Sequence, residues 1–326
     1  MPRRLRFQVE KWPISGAFTI SRGAKTEAAV IVVEISEGPV TGRGECVPYG
    51  RYGESLESVG WEIERIAPKI ARGADRAELQ TLLPAGAARN AIDCALWDLE
   101  AKLAGKSVAA LAALVPPQSV TTAFTLSLDT PAAMAAAAKK TARPVLKLKL
   151  GADGDAARLR AVRAAVPDAV LIADANEGWT EKNIAENLLV CAEANVALVE
   201  QPLPADNDDI LRNIERRVPV CADESFHDRA SFERIEGKYD AVNIKLDKTG
   251  GLTEALLVAA EAERRGVTIM IGCMVSTSLA MAPAMLLTSH AKFVDLDGPL
   301  LLAQDRDHGL RYGGSTVFGP AAKLWG

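Results

Sequence analysis

The sequence predicts an α/β protein in which a parallel barrel of β/α units follows a smaller α+β unit, and three observations predict it. β-Branched runs closed by Gly and Pro occupy Leu5 to Gly44, and a helical pattern extends from Glu54 to about Leu114. Beyond that point, short apolar runs that each end in a polar residue alternate with amphipathic stretches.

The first runs, RFQVEKWPI and AAVIVVEIS, predict a small antiparallel sheet. In AARNAIDCALWDLEAKLAGK the apolar residues recur at helical spacing until Gly105 offers a stop. Strands followed by helices make an α+β unit over residues 1–114. The Val115-Pro116-Pro117 break then opens the barrel, expected over 115–304.

The barrel runs are VLKLKL, AVLIADAN, VALVEQP, VPVCADES, AVNIKLDK, VTIMIGC and KFVDLDG. Their polar endings fall at Lys149, Asp174, Glu200, Asp223, Lys245 and Asp295, the first five separated by 25, 26, 23 and 22 residues. A strand, a loop and a three-turn helix consume about that length. DAARLRAVRAAV, TEKNIAENLLVCAEA with Thr180 as N-cap, and LTEALLVAAEAERRG with Gly266 as stop fit the intervening helices. Seven or eight such units close a parallel barrel.

Composition narrows the function. The 326 residues carry a formal charge of -4, with no basic excess or Lys/Arg block, so nucleic acid is not expected as a partner. Five scattered cysteines without a C-x-x-C pair read as buried thiols in a reducing compartment. The MPRRLRFQVEKWPI start lacks a signal-peptide core and no apolar run reaches membrane-spanning length, so a cytoplasmic protein without membrane partners is expected. With only His227, His290 and His308 available, catalysis falls to carboxylates and lysines.

In parallel barrels the C-terminal strand ends form the mouth of the site. Asp174, Glu200 and Asp223 end three successive runs, and three converging carboxylates repel unless a cation sits among them. Oxygen ligands with room for substrate favour one Mg²⁺, with Mn²⁺ as a substitute. Lys147 and Lys149 project from one face of their strand, and Lys245 lies four strands further round, so a substrate between them meets a base on each face. A cationic neighbour or the metal would lower the lysine pKa and allow neutral amines. Removing a proton beside a carboxylate puts added negative charge on that group, which a metal positioned there stabilises.

The K-x-K pair Lys147/Lys149, Asp174 in DAN, Glu200 in EQP, Asp223 in ADES and Lys245 in NIKLDKTGG resemble the enolase superfamily, in the branch of muconate-lactonizing enzymes and, within it, dipeptide epimerases such as L-Ala-D/L-Glu epimerase. The likeness spans essentially the whole chain. It implies a (β/α)7β TIM-like barrel with an α+β N-terminal capping domain, residues 305–326 returning to the cap. It further implies Mg-assisted 1,1-proton transfer through an enediolate, with Lys149 serving the L face, Lys245 the D face, and Lys147 tuning Lys149 and contacting the substrate carboxylate. A role in reusing cell-wall peptides and a homo-oligomeric state are implied by the same likeness.

Asp295 and Asp297 in FVDLDGP share a face if the strand runs through them, forming a second carboxylate cluster away from the metal; in dipeptide epimerases this pair binds the α-ammonium group. Two Gly-containing loops, FTISRGAKT and CVPYGRYGES, would form lids, with Arg22 and Lys25 as partners for a distal carboxylate and Arg51 and Tyr52 as weaker candidates. Asn176 reads as a residue near metal or substrate, Ser225 and Cys273 as wall, Glu45 as reaching the site or capping its own loop, and Trp97 as packing between cap and barrel.

Three other readings use the same residues. An N-succinylamino acid racemase, o-succinylbenzoate synthase or cycloisomerase would share lysines and metal but leave Asp295 and Asp297 unpaired. A Schiff-base lyase using Lys245 would leave the three acids without a task. A binding scaffold without activity would not need every catalytic position filled.

Overall fold

The computed structural model describes residues 2–115 and 117–326; Met1, and the Pro116 of the predicted break, lie outside them. The predicted antiparallel sheet is present, with β1 (Arg4–Ile20), β2 (Gly23–Glu37) and β3 (Val40–Cys46) in that order. Three helices follow, α1 (Leu56–Ala71), α2 (Arg76–Leu82) and α3 (Ala87–Ala104), then a single turn α4 (Val108–Leu111). Gly105 terminates α3 in the left-handed conformation, as its sequence predicts.

Alternation along β2 assigns its side chains to two cores. Ile31, Val33 and Ile35 pack with Ile63, Ile66 and Ile70 of α1 and with α3, whereas Val30 and Val32 join Trp97 in the core shared with the barrel. Full burial of each such aliphatic side chain contributes about 2 kcal/mol. The contact of β3 with α3 requires Gly42 and Gly44, because a Cβ there would stand 2.2 Å from the Ala95 carbonyl oxygen and 2.1 Å from that of Ala91.

A short strand β4 (Ser119–Thr121) precedes the barrel strands β5 (Phe124–Leu126), β6 (Val145–Lys149), β7 (Val170–Asp174), β8 (Val196–Glu200), β9 (Val220–Ala222), β10 (Ala241–Ile244), β11 (Thr268–Ile271) and β12 (Phe293–Val294). These eight form one parallel sheet in sequential order, curled so that the Ala123 N–H beside β5 donates to the Val294 carbonyl of β12 at 2.8 Å. Ile172, Leu198, Cys221, Ala241 and Met270 fill the interior, leaving the chemistry to the strand ends above.

The crossovers are α5 (Pro131–Thr141), α6 (Asp155–Ala165), α7 (Ile184–Glu193), the one-turn α8 (Phe232–Ile235), α9 (Leu246–Thr249) with α10 (Leu252–Arg265), and α11 (Ser278–Met285). Between β8 and β9 the chain makes only a 3-10 turn at Asp209–Arg212, shorter than the three-turn helix that the spacing predicts. PLPADNDD explains this, since Pro, Asp and Asn favour turns. Thr180 does not cap α7: its N–H bonds the Asn183 carboxamide at 2.8 Å, and the helix begins one turn later. Gly266 does terminate α10.

After α12 (Gly298–Leu301), β13 (Tyr312–Gly313) pairs with β14 (Thr316–Phe318), which pairs in turn with β4, and the chain then meets the cap. There Trp325 Nε1 donates to the Cys94 carbonyl at 3.0 Å, and Arg43 reaches the Lys323 and Leu324 carbonyls. α3 also grips the barrel: Arg89 donates to the Thr249 and Gly250 carbonyls, Asp93 accepts the Thr253 N–H, and Trp97 Nε1 bonds the Thr253 hydroxyl, fulfilling the packing role predicted for Trp97. Among the described residues no helix is long and apolar enough to cross a membrane.

Candidate active site

Parallel register sets Lys149, Asp174 and Glu200 level, and the remaining charged residues follow the ends of the later strands. Lys149 pairs with Asp174 across β6 and β7, and Asp174 with Glu200 across β7 and β8; Asp223, Lys245 and Asp295 stand one residue beyond β9, β10 and β12. They adjoin a cavity of about 590 Å³ between the barrel mouth and the cap loops. Lys147, Lys149, Asp223, Lys245, Asp295 and Asp297 line it, while Asp174 and Glu200 lie fully buried behind the lysines.

Asp174, Glu200, Asp223 and Asp295 are each held by a lysine. Lys149 Nζ stands 2.5 Å from Asp174 and Lys245 Nζ 2.6 Å from Asp223, so the two amines enter the cavity from strands four apart, each on its own carboxylate. Lys147 Nζ reaches Asp174 at 3.1 Å, Glu200 at 2.7 Å and Asp295 at 2.8 Å. It thereby bridges the acid trio to the D-x-D pair, so the second carboxylate cluster is not separate from the first as the sequence suggests. β12 stops at Val294, and Asp295 and Asp297 project from the loop after it. Asp295 Oδ1 is buried without a hydrogen-bond partner, whereas Asp297 accepts the Thr125 N–H at 2.6 Å.

Charge balance in this arrangement favours ammonium. Burial lowers the pKa of Lys147, but Asp295, Glu200 and Asp174 outweigh it and hold it well above the ordinary lysine range. At Lys245 burial likewise opposes and Asp223 prevails, raising the pKa. The depression expected from cationic neighbours is outweighed by the acids at these two lysines. Burial opposes but Lys245 and Lys248 dominate at Asp223, which falls well below the usual carboxylate range. Burial and Asp295 push Asp297 up to about 7, and burial and Asp223 push Glu224 to about 7.

Among the described residues no group of three His, Cys, Asp or Glu side chains is spaced to hold a metal ion, because the lysine ammoniums stand among the acids. The donor set nevertheless fits a hard cation: three carboxylates, each no more than 2% exposed, at the ends of three adjacent strands.

The remaining candidates divide. Arg22 and Lys25 line the cavity, but Arg22 is engaged by the Asn176 carbonyl at 2.7 Å, Glu224 at 2.7 Å and the Tyr49 hydroxyl at 2.9 Å, and Lys25 lies over the Tyr49 ring. Arg51 clamps Glu177 through two bonds of 2.7 Å. Asn176 and Cys273 line the cavity, and the Asn176 carboxamide oxygen is buried without a partner. Tyr52 and Ser225 do not line it: Tyr52 packs edge-on against His227, and Ser225 bonds Asp208 and Gln201 behind the wall. Glu45 neither reaches the site nor caps its own loop; it accepts the Thr277 N–H at 2.8 Å at the start of α11 and pairs with Arg306.

Sequence reasoning missed four polar residues here. Lys248 binds the Asp223 carboxylate at 2.6 Å, and its spacing three after Lys245 was the available signal. Asn243 bonds Glu200 at 2.8 Å and shares a strand face with Lys245. Glu224 neighbours Asp223, and Gln201, which follows Glu200, carries no signal of its own.

Fold and site together define a class, the isomerases of the enolase type. Within that class the chain belongs to the mandelate racemase/muconate lactonizing enzyme family: residues 3–112 match its N-terminal domain and residues 131–308 the enolase C-terminal domain-like family. It is 46% identical to the L-Ala-D/L-Glu epimerase of Escherichia coli K12 over 95% of this chain and 98% of that one. It is 44% identical to the N-acetyl-D-glutamate racemase of a Pseudoalteromonas species over 91% and 95%. The crystal structure of an enolase family member from Agrobacterium tumefaciens with homology to dipeptide epimerases, bound to sodium and L-Ala-L-Glu, superposes with a TM-score of 0.98 at 54% identity over all of both chains. A dipeptide epimerase from Enterococcus faecalis V583, complexed with Mg and L-Leu-L-Tyr, gives 0.91 at 29% identity over 100% and 99%.

Proposed function

We propose that this protein epimerises dipeptides, L-Ala-D/L-Glu first among them, by moving the α-proton of the C-terminal residue between Lys149 and Lys245. The observation that carries the reading is the entry of these two amines into one cavity from strands four apart. A substrate carbon between them loses its proton to one amine and receives one from the other on the opposite face, Lys149 serving L and Lys245 serving D. Lys147 contacts the substrate carboxylate.

Asp174, Glu200 and Asp223 would hold Mg²⁺, which the Enterococcus faecalis relative carries and for which Mn²⁺ would substitute. When bound, the ion would share the carboxylate charge that raises the Lys147 and Lys245 pKa values and would supply positive charge where the substrate carboxylate gains electron density. The partnerless Asp295 Oδ1 on the cavity wall supports recognition of a dipeptide α-ammonium group, with Asp297 beside it. Asn176 Oδ1 accepts a substrate N–H, and Arg22 and Lys25 take the distal carboxylate. A second reading, racemisation of an N-acylated glutamate, is favoured by the Pseudoalteromonas relative.

Incubation with L-Ala-L-Glu in D₂O, followed by NMR with and without Mg²⁺, tests the proposal. Metal-dependent α-deuteration with appearance of the epimer is expected. Exchange of N-acetylglutamate alone would transfer the assignment to the second reading.

A further inference from the structure

Gln201 follows Glu200 directly, is fully buried and holds a left-handed backbone, φ 32°. A non-glycine residue in that region is strained and persists only where the surroundings over-determine it. Here they do. Its N–H donates to the Cys221 carbonyl and its carbonyl accepts the Glu177 N–H, which fixes the main chain between β7 and β9.

The side chain is fixed just as fully. Oε1 accepts the N–H groups of Asp223 at 2.8 Å and Ser225 at 3.0 Å, while Nε2 faces the Leu203 carbonyl, the Ser225 hydroxyl and the Tyr239 hydroxyl at 2.8, 2.8 and 3.0 Å. Both hydroxyls donate to Asp208 Oδ2 at 2.7 Å, and Lys238 occupies Asp208 Oδ1. A carboxylate only accepts, so each hydroxyl spends its proton on Asp208 and offers Gln201 a lone pair. The Asp223 and Ser225 N–H groups, which only donate, and the Leu203 carbonyl, which only accepts, turn the amide oxygen toward the Asp223 N–H, and the hydroxyl lone pairs agree with that orientation. A continuous set of hydrogen bonds thus links Asp208, which does not line the cavity, to the backbone of Asp223, which does.

We infer that Gln201 is a positioning residue that, held by backbone groups and supported by Asp208 through Ser225 and Tyr239, fixes the Asp223 carboxylate relative to Glu200 and so sets the affinity of the site for a divalent cation. The inference rests on the proposed metal-holding role of those acids. Residues that orient ligands in this way typically change metal affinity by roughly 10- to 100-fold when replaced.

The test is Mn²⁺ titration of chelator-treated protein, free ion being read by electron paramagnetic resonance, alongside the thermal midpoint of the same protein in chelator. Gln201→Met is expected to weaken Mn²⁺ binding at least tenfold per folded molecule, titrated below its own chelated midpoint, which falls because the Asp223 and Ser225 N–H groups lose their acceptor. Unchanged affinity in Gln201→Met would overturn the inference and leave the proposed function standing. Failure of the unaltered protein to bind Mn²⁺ would remove both. Should Gln201→Met not fold, Tyr239→Phe decides, since it leaves Gln201 in place and deletes one supporting hydroxyl: binding weaker by about threefold supports the inference, and equal binding overturns it.

Discussion

Asp93, on a helix of the cap, caps a helix of the barrel: its carboxylate accepts the Thr253 N–H at 2.9 Å where α10 begins. The N-cap residue of α10 is Gly251, which has no side chain to serve that end, and a Cβ there would stand 2.5 Å from Asp93. Two domains therefore share one capping interaction.

This sharing has a pH signature. Burial raises the Asp93 carboxyl from an ordinary 3.8 to about 6, so the folded state binds its proton more tightly than the unfolded chain. Stability from this group is full below about pH 4 and is lost as pH rises through about 6. Asp93→Asn removes the slope. Urea unfolding at pH 4 and pH 7 should show the unaltered protein losing up to about 3 kcal/mol relative to the variant over that interval.

The two lysines should separate by face. Lys149→Ala and Lys245→Ala each lower epimerisation by about 10³-fold, the scale of a lost acid–base group. In D₂O, Lys245→Ala should still deuterate L-Ala-L-Glu without forming the epimer, and Lys149→Ala should do so only with L-Ala-D-Glu. NMR of the α-proton reads both.

Metal removal should abolish turnover and restore it on return of Mg²⁺. Folding stability should follow, because a ligand at 100 times its Kd stabilises by about 2.7 kcal/mol. Thermal unfolding across a Mg²⁺ series checks this without reference to catalysis.

Asp295→Asn should cost dipeptides more than N-acylated substrates. Loss of a charge-assisted bond to an ammonium group lowers kcat/KM for L-Ala-L-Glu by roughly 10- to 100-fold. Any residual turnover of N-acetylglutamate should change less, as measured by comparing the two substrates with one enzyme preparation.

Much of this was legible because strand period and barrel spacing are sequence properties. Alternation placed Lys147 and Lys149 on one face, and the regular spacing put Asp174, Glu200 and Asp223 on neighbouring strand ends, with register bringing Asp174 and Glu200 level. Asn243, two before Lys245, obeyed the same rule unread. What stayed hidden was non-local. Nothing around Glu45 announces that its partners are Thr277 and Arg306, and nothing around Ser225 announces Asp208. Lys147 lies 148 positions from Asp295, so their contact depends on closure of the barrel. The absent helix between β8 and β9 was a local matter, since its Pro and Asp residues were in view while the length alone was weighed.

The grip of α3 bears on how a protein of this kind can be recombined. Arg89, Asp93 and Trp97 meet Thr249, Gly250 and Thr253 as a matched set, so replacing the first hundred residues with those of a distant relative would strip α9 and α10 of their terminal partners unless that set travels too. Arg22 and Arg51, in contrast, sit on loops outside that set. On the role proposed for the cavity loops, grafting those loops alone should shift substrate preference, with the joint between the domains left as it is.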